Sequence, residues 1–249
     1  MSALRYVYAI CRPFSAALSA ELTGVGGVPP KLLRHGDLIA VVGAVPEREF
    51  AAEPLRRRLE DAFWLEATAR AHQGVIDALT AVTSPLPLRL ATVLRDDSGV
   101  RVMMEERRED FLRTLDRLDG RVEWDVSVYA GATEDTGTSE TSGNLAEEFT
   151  RRLHDTLSEC AEENRLLAPR RQETVREPSL EEAGEKIFDA AYLVPRAESG
   201  EFVERVNGKA GEEPGMRVEL TGPWAAYSFT RSTGLTGFTG VTSGTDRRH

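Results

Sequence analysis

The chain has 249 residues, 41% hydrophobic and 29% charged, the balance of an ordinary globular protein with one large or two modest cores. Its net charge of -10, from 41 acidic against 31 basic residues, argues against a general binder of nucleic acid or anionic membrane, since neither polyanion attracts the chain as a whole. Cys11 and Cys160 form no CxxC and no metal spacing, the N-terminus has no signal-peptide pattern, and no run approaches the ~20 apolar residues of a membrane span, so a cytoplasmic, soluble protein is expected.

Leu4–Cys11 is rich in β-branched and aromatic residues and stops before Pro13, as a first strand does. Ser15–Leu22 admits a short turn of helix. Gly24–Pro30 is a loop by composition; its glycine spacing is wrong for a phosphate-binding turn, and Pro29-Pro30 stands where a helix would have to begin. Asp37–Val42 is a continuous apolar run, the pattern of a central strand covered on both faces.

Leu59–Val82 predicts a long helix, in which Ala62, Leu65, Ala69, His72, Ile76 and Leu79 recur three and four apart and His72 is the polar member of the stripe. Pro85–Leu94 follows as a largely buried strand entered through two proline-fixed positions. Asp97 and Ser98 offer N-caps to a helix carrying Met104, Phe111, Leu115 and Leu118 on one face and ending at Asp119-Gly120. In Arg121–Tyr129, Val122, Trp124, Val126 and Val128 alternate with Glu123, Asp125 and Ser127, the signature of a half-solvated strand.

Gly131–Gly143 reads as a flexible linker or long loop. Leu145, Phe149, Leu153, Leu157 and Cys160 mark one face of another helix, with His154 at its solvent edge. Thr174–Arg176 is a weak strand candidate, Lys186–Val194 a strong one, Phe202–Val206 a short helix, and Met216–Thr221 a final strand running into Gly222-Pro223-Trp224. Threonines at every third position from Thr230 to Thr245, with Gly234, Gly237 and Gly240 directly following three of them, predict a disordered tail.

These elements predict an α+β protein of two domains, both ferredoxin-like or related split βαβ sheets with helices packed on one face, plus a flexible C-terminal tail. The boundaries expected are an N-terminal domain over 1–130, a linker over 131–143, a C-terminal domain over 144–229 and a tail over 230–249. The strand at 121–130 could pair in either half.

His72, with Arg89 later on the buried-looking strand, could form a general-base or ligand-contact pair, or could be a core-edge histidine with Arg89 paired to an acid such as Glu66 or Asp96. No nucleophile motif accompanies them, and neither HExxH nor any Cys/His metal spacing occurs. Trp224, Tyr227 and Phe229 cluster just after the last strand, either closing a small core or forming an anchor for a partner. The arginine run Arg56–Arg58 and the acidic stretch Glu105–Asp110 are solvated helix faces.

Several segments together resemble a known family. Tyr6–Ile10, Trp64-Leu65 with Ala69–His72, Pro85–Arg89, Leu118–Trp124, Ala190–Val194, and Glu219–Trp224 with Tyr227–Phe229 occur in the order seen in the gas vesicle protein F/L family (GvpF/GvpL). The similarity spans Leu4 to about Phe229, and Leu-Thr-Gly-Pro-Trp-x-x-Tyr-Ser-Phe is its most specific part; Pro169–Glu185 and the tail carry no family pattern. The resemblance implies a non-catalytic accessory protein of gas vesicle assembly, without cofactor or metal, that binds the small hydrophobic major shell protein and possible further accessory proteins, and is associated with the vesicle in the cytoplasm. His72, Arg89, Trp224, Tyr227 and Phe229 are then candidate partner contacts. A small-molecule regulatory module on the same kind of sheet is the alternative.

Overall fold

The computed structural model describes residues 3–19, 21–131, 139–167 and 184–230. The chain divides between Asp119 and Gly120: the residues up to Asp119, with Phe229 and Thr230, form a first compact unit, and Gly120–Ser228 a second.

The first unit is built on β1 (Ala3–Cys11), which pairs antiparallel with β3 (Leu38–Pro46) on one side and with two short strands, β4 (Leu86–Pro87) and β5 (Val93–Leu94), on the other. An edge strand, β2 (Lys31–His35), extends the sheet beyond β3, giving the order β2-β3-β1-β4. Tyr6 bonds to His72 of the long helix while its neighbour Arg5 bonds to Asp97 of a later one. Successive side chains of a strand point to opposite faces, so helices cover both faces of this sheet and not one. That double cover is why Tyr6 through Cys11 are all buried.

Several expected elements have different bounds. The segment expected as one helix over 59–82 is one, α3 (Ala62–Thr80), with slightly tighter bounds; two short helices, α1 (Glu47–Phe50) and α2 (Ala52–Arg58), precede it, and α3 starts where the Asp61 carboxylate accepts the Phe63 and Trp64 N–H groups. Asp61 caps these free N–H groups and so fixes the start. Val75, Ile76 and Leu79 are fully buried, each stabilising the unit by roughly 1.5–3 kcal/mol. Ser15–Leu22 forms no helix among its described residues. The strand expected over 85–94 is broken at Arg89–Thr92, where Thr92 donates from N–H and Oγ1 to the Arg89 carbonyl and Ala91 takes a positive φ of 62°. Two helices, α4 (Asp97–Glu106) and α5 (Arg108–Leu118), replace the single one expected, and still bury Met104, Phe111, Leu115 and Leu118.

In the second unit, β6 (Arg121–Ala130) is followed by α6 (Ser139–Ser158), β7 (Glu163–Leu166), β8 (Glu185–Pro195), α7 (Ser199–Lys209) and β9 (Met216–Trp224). The antiparallel sheet has the order β7-β8-β6-β9, so the strand over 121–130 belongs here. Val122, Val126 and Val128 of β6, with Ala190, Tyr192 and Val194 of β8, pack against Phe149, Leu153 and Leu157 of α6 and Phe202 and Val206 of α7. The second strand of the unit is Glu163–Leu166, whose alternation is too polar and too short to stand out in the sequence. Thr174–Arg176, residues 132–138 of the expected linker and the threonine repeat beyond Thr230 lie outside the described residues; residues 139–143 of that linker are the opening turn of α6.

The glycine-rich loop has a packing role. A Cβ on Gly24 would sit 2.2 Å from the Tyr8 hydroxyl, and one on Gly43 would sit 2.9 Å from it. Both positions lack a side chain so that Tyr8 can reach the Val25 N–H, which donates to its oxygen at 2.8 Å. Tyr8→Phe leaves that buried N–H without its acceptor, and the protection of β1 amides against hydrogen exchange should fall by ~1–3 kcal/mol. Gly43→Ala should cost less in the Tyr8→Phe background than in the natural chain, because the nearest colliding atom is gone; equal costs would contradict this account.

Candidate functional site

The stripe that carries His72 along α3 delivers its ring into the core of the first unit, where it is 3% exposed. The Tyr6 hydroxyl accepts the Ala91 N–H at 3.0 Å and shares a hydrogen bond with His72 Nδ1, also at 3.0 Å. Burial pushes the His72 pKa down to about 4, which keeps the imidazole neutral at pH 7. The same burial raises Tyr6 above the ordinary phenol value and Tyr8 to about 12. The Tyr6 ring packs against Tyr8 at 4.9 Å and edge-on to Phe50 at 6.1 Å, closing an aromatic cluster around the imidazole.

Arg89 is exposed, in the turn that interrupts β4 and β5. Tyr6 stands between the two residues: it holds the His72 ring on one side and, through Ala91, the turn that carries Arg89 on the other. His72 is inside and Arg89 outside, and Tyr6 links the helix that carries one to the turn that carries the other.

The aromatic cluster after β9 is divided as well. Phe229 is fully buried and groups with the first unit, where the Arg117 guanidinium donates to its carbonyl. Trp224 and Tyr227 group with the second unit and are partly exposed. With their side chains enclosed, His72 and Phe229 present no surface; Arg89, Trp224 and Tyr227 do.

A group that sequence reasoning missed is Glu123. Alternation assigns it to a solvated face, yet it is 3% exposed. The short helical turn Tyr227–Phe229 brings Ser228 over it, and the Glu123 carboxylate accepts from the Ser228 N–H at 2.8 Å and from its hydroxyl at 2.7 Å. Burial raises the Glu123 pKa to about 7, the Ser228 bonds oppose that rise, and the neighbouring Asp125 adds to it. Ser127 is likewise withdrawn from solvent, donating to Asp189 at 2.9 Å and accepting from Lys186 at 3.1 Å. No sequence pattern separates a carboxylate capped by a distant serine from one facing water; Ser228 within the Tyr-Ser-Phe motif was the available signal. Among the described residues, no three of His, Cys, Asp and Glu stand together as metal ligands, and no helix is long and apolar enough to cross a membrane.

The two buried titratable groups tilt stability in opposite directions. The unfolded chain binds a proton at His72 near its ordinary 6.5 while the fold resists until about 4, so this contribution is present above pH 6.5 and is lost as the pH falls toward 4, by on the order of 3 kcal/mol. Glu123 holds its proton more tightly when folded, so its contribution is full below pH 4.5 and is lost as the pH rises through 7. Hydrogen exchange followed separately in the two units should show the first losing protection below pH 6, and Glu123→Gln should flatten the decline of the second between pH 4.5 and 7. An unchanged profile in that variant would contradict the assignment.

The sequence matches the family model for gas vesicle synthesis protein GvpL/GvpF over residues 4–145 and 136–231. It is 50% identical over 252 residues to gas vesicle protein L of Streptomyces sp. (strain CB03234), covering 91% of this chain and 92% of that one. It is 26% identical over 246 residues to gas vesicle protein F of the same strain, covering 90% and 98%. Its fold resembles the crystal structures of GvpF from Anabaena sp. PCC7120, with a TM-score of 0.70 at 17% identity over 92% of this chain and 96% of that one, and from Microcystis aeruginosa, with 0.67 at 17% over 91% and 98%. The chain belongs to the gas vesicle GvpL/GvpF family.

Proposed function

We propose that this chain is a non-catalytic accessory protein of gas vesicle formation that acts in the cytoplasm by holding the hydrophobic major shell protein before or during assembly. A shell subunit outside the vesicle wall exposes apolar surface and strand edges, which associate wrongly unless covered. A protein with open sheet edges meets that need by strand addition, with neighbouring side chains supplying selectivity.

The observation that carries this reading is the antiparallel sheet of each unit, ending in strands bonded on one side within the described residues. The short strand β4 offers no such edge: Pro85 to Leu88 are buried, and two prolines remove N–H donors there. The strand order of the second unit supports a ferredoxin-like half, and the first is a related sheet with an added strand and helices on both faces. Arg89, Trp224 and Tyr227 are the proposed contacts, and His72 and Phe229, being enclosed, are not.

Co-expression of tagged full-length chain with the major shell protein, followed by affinity capture, tests the reading. Retention of the shell protein, and failure of vesicles to form in cells lacking this chain, are the expected results. A well-folded chain that retains none of it sinks the proposal.

A further inference from the structure

The first sheet ends on β2, Lys31-Leu32-Leu33-Arg34-His35, whose whole length pairs with β3 from Lys31↔Val42 to His35↔Leu38. Every second residue of such a strand turns its N–H and C=O away from the ladder. Among the described residues, no backbone bond outside the ladder reaches Lys31–His35. His35 is tied to Glu105 at 2.9 Å, but Lys31 and Arg34 have no ion pair among the described residues. Leu32 between them is 38% exposed.

The other exposed edges differ. On β9, Arg217 pairs with Glu219 at 3.3 Å and lies over the Tyr129 ring at 4.2 Å, and Pro223 interrupts the donors. On β7, Glu163 and Arg165 are already engaged. Among the described residues of these edges, β2 alone has two cations without an ion pair flanking an apolar pair, in a chain whose net charge is -10.

We propose that β2 is a docking edge for an extended segment of a partner protein with the pattern acid–apolar–apolar–acid. Lys31 and Arg34 lie three residues apart, so an antiparallel strand aligned on β2 sets carboxylates opposite both only if they too are three apart, and its two central residues then meet Leu32 and Leu33. A second copy offers neither cation a partner. β2 carries no carboxylate of its own: two-fold antiparallel pairing about Leu32 or Leu33 sets no acid opposite Lys31 or Arg34, and in-register parallel pairing sets each cation opposite itself, which is destabilising. The inference deepens the assembly reading, on which it rests for the identity of the partner, while the chemistry of the edge stands on its own.

The test uses full-length protein and two blocked peptides, Thr-Glu-Val-Val-Glu-Thr and Thr-Lys-Val-Val-Lys-Thr. At low salt the acidic peptide should bind at least tenfold more tightly than the basic one and slow hydrogen exchange within residues 31–35. The K31E/R34E variant, altered at surface positions, should keep its melting temperature and reverse the preference. Equal binding of both peptides, protection elsewhere, or an unreversed preference would overturn the proposal, as would dimerisation of the natural chain with protection at β2. In the capture experiment the two ideas separate. Loss of the shell protein from K31E/R34E alone supports β2 as its docking edge, and equal retention by both proteins overturns that assignment. Failure of the natural chain to retain it sinks the assembly reading, and the peptide result then decides the edge alone.

Discussion

Two tyrosine hydroxyls at the centre of a strand with no solvent on either face hold the first unit to one geometry. A buried phenol that found no partner would cost about 1–3 kcal/mol, so each of these must be satisfied from within. Tyr8 receives the Val25 N–H and so pins the glycine loop; Tyr6 receives the Ala91 N–H and is hydrogen-bonded to His72, so it pins the turn after β4 and the middle of α3 together. Loop, turn and helix are thereby referred to positions two residues apart on β1. Any slip of that strand by one residue would turn both hydroxyls to the other face and leave three groups without partners.

The second unit repeats part of this solution. His154 of α6 meets the hydroxyl of Tyr192 on the central strand β8 at 2.8 Å, as His72 of α3 meets Tyr6 on β1. In both, a helix is fixed to a strand by one directional bond inside an apolar contact, which sets helix rotation more sharply than packing of Leu and Val can. His154 was expected at a solvent edge and is half-buried with this partner. The other face of that sheet uses a carboxylate instead. Glu123 fastens the Ser228 segment through two bonds, and the cost of burying it appears as a raised pKa near neutrality. The His72–Tyr6 bond holds neutral groups at pH 7, whereas the Glu123 attachment rests on a carboxyl that titrates near neutrality.

What the sequence revealed, and what it hid, follows from how far each signal reaches along the chain. The α6 stripe and the alternation in β6 are local periodicities set by burial on one face, and Phe149, Leu153, Leu157, Val122 and Val126 lie where that spacing puts them. The helix start at Asp61 and the break at Arg107 were hidden, because apolar residues continue in phase across them and only the cap geometry marks the boundary. β2 and β7 were missed for a different reason: edge strands need little apolar surface, so Lys31–His35 and Glu163–Leu166 lack the pattern that reveals β1. Of the candidate site residues, His72 was visible as polar among apolar neighbours, but its meaning was not. That depended on Tyr6 and Ala91, far along the chain, and no periodicity links them.

Sheet edges pose the same physical problem at every end of these two sheets, and the chain solves it differently at each. Beside β1, the short strand β4 is closed by burial and by Pro85 and Pro87, which have no N–H to offer. On β9, arginine and glutamate pair with each other along the strand, so an incoming strand would have to break that pair or stack over it. On β2, like charges repel a second copy but leave the backbone groups accessible. Proline and burial close an edge to every partner, whereas charge closes it only to partners of the same sign. An edge guarded by unpaired cations in an acidic protein is therefore selective instead of sealed, which is the property that binding one extended partner without self-aggregation requires.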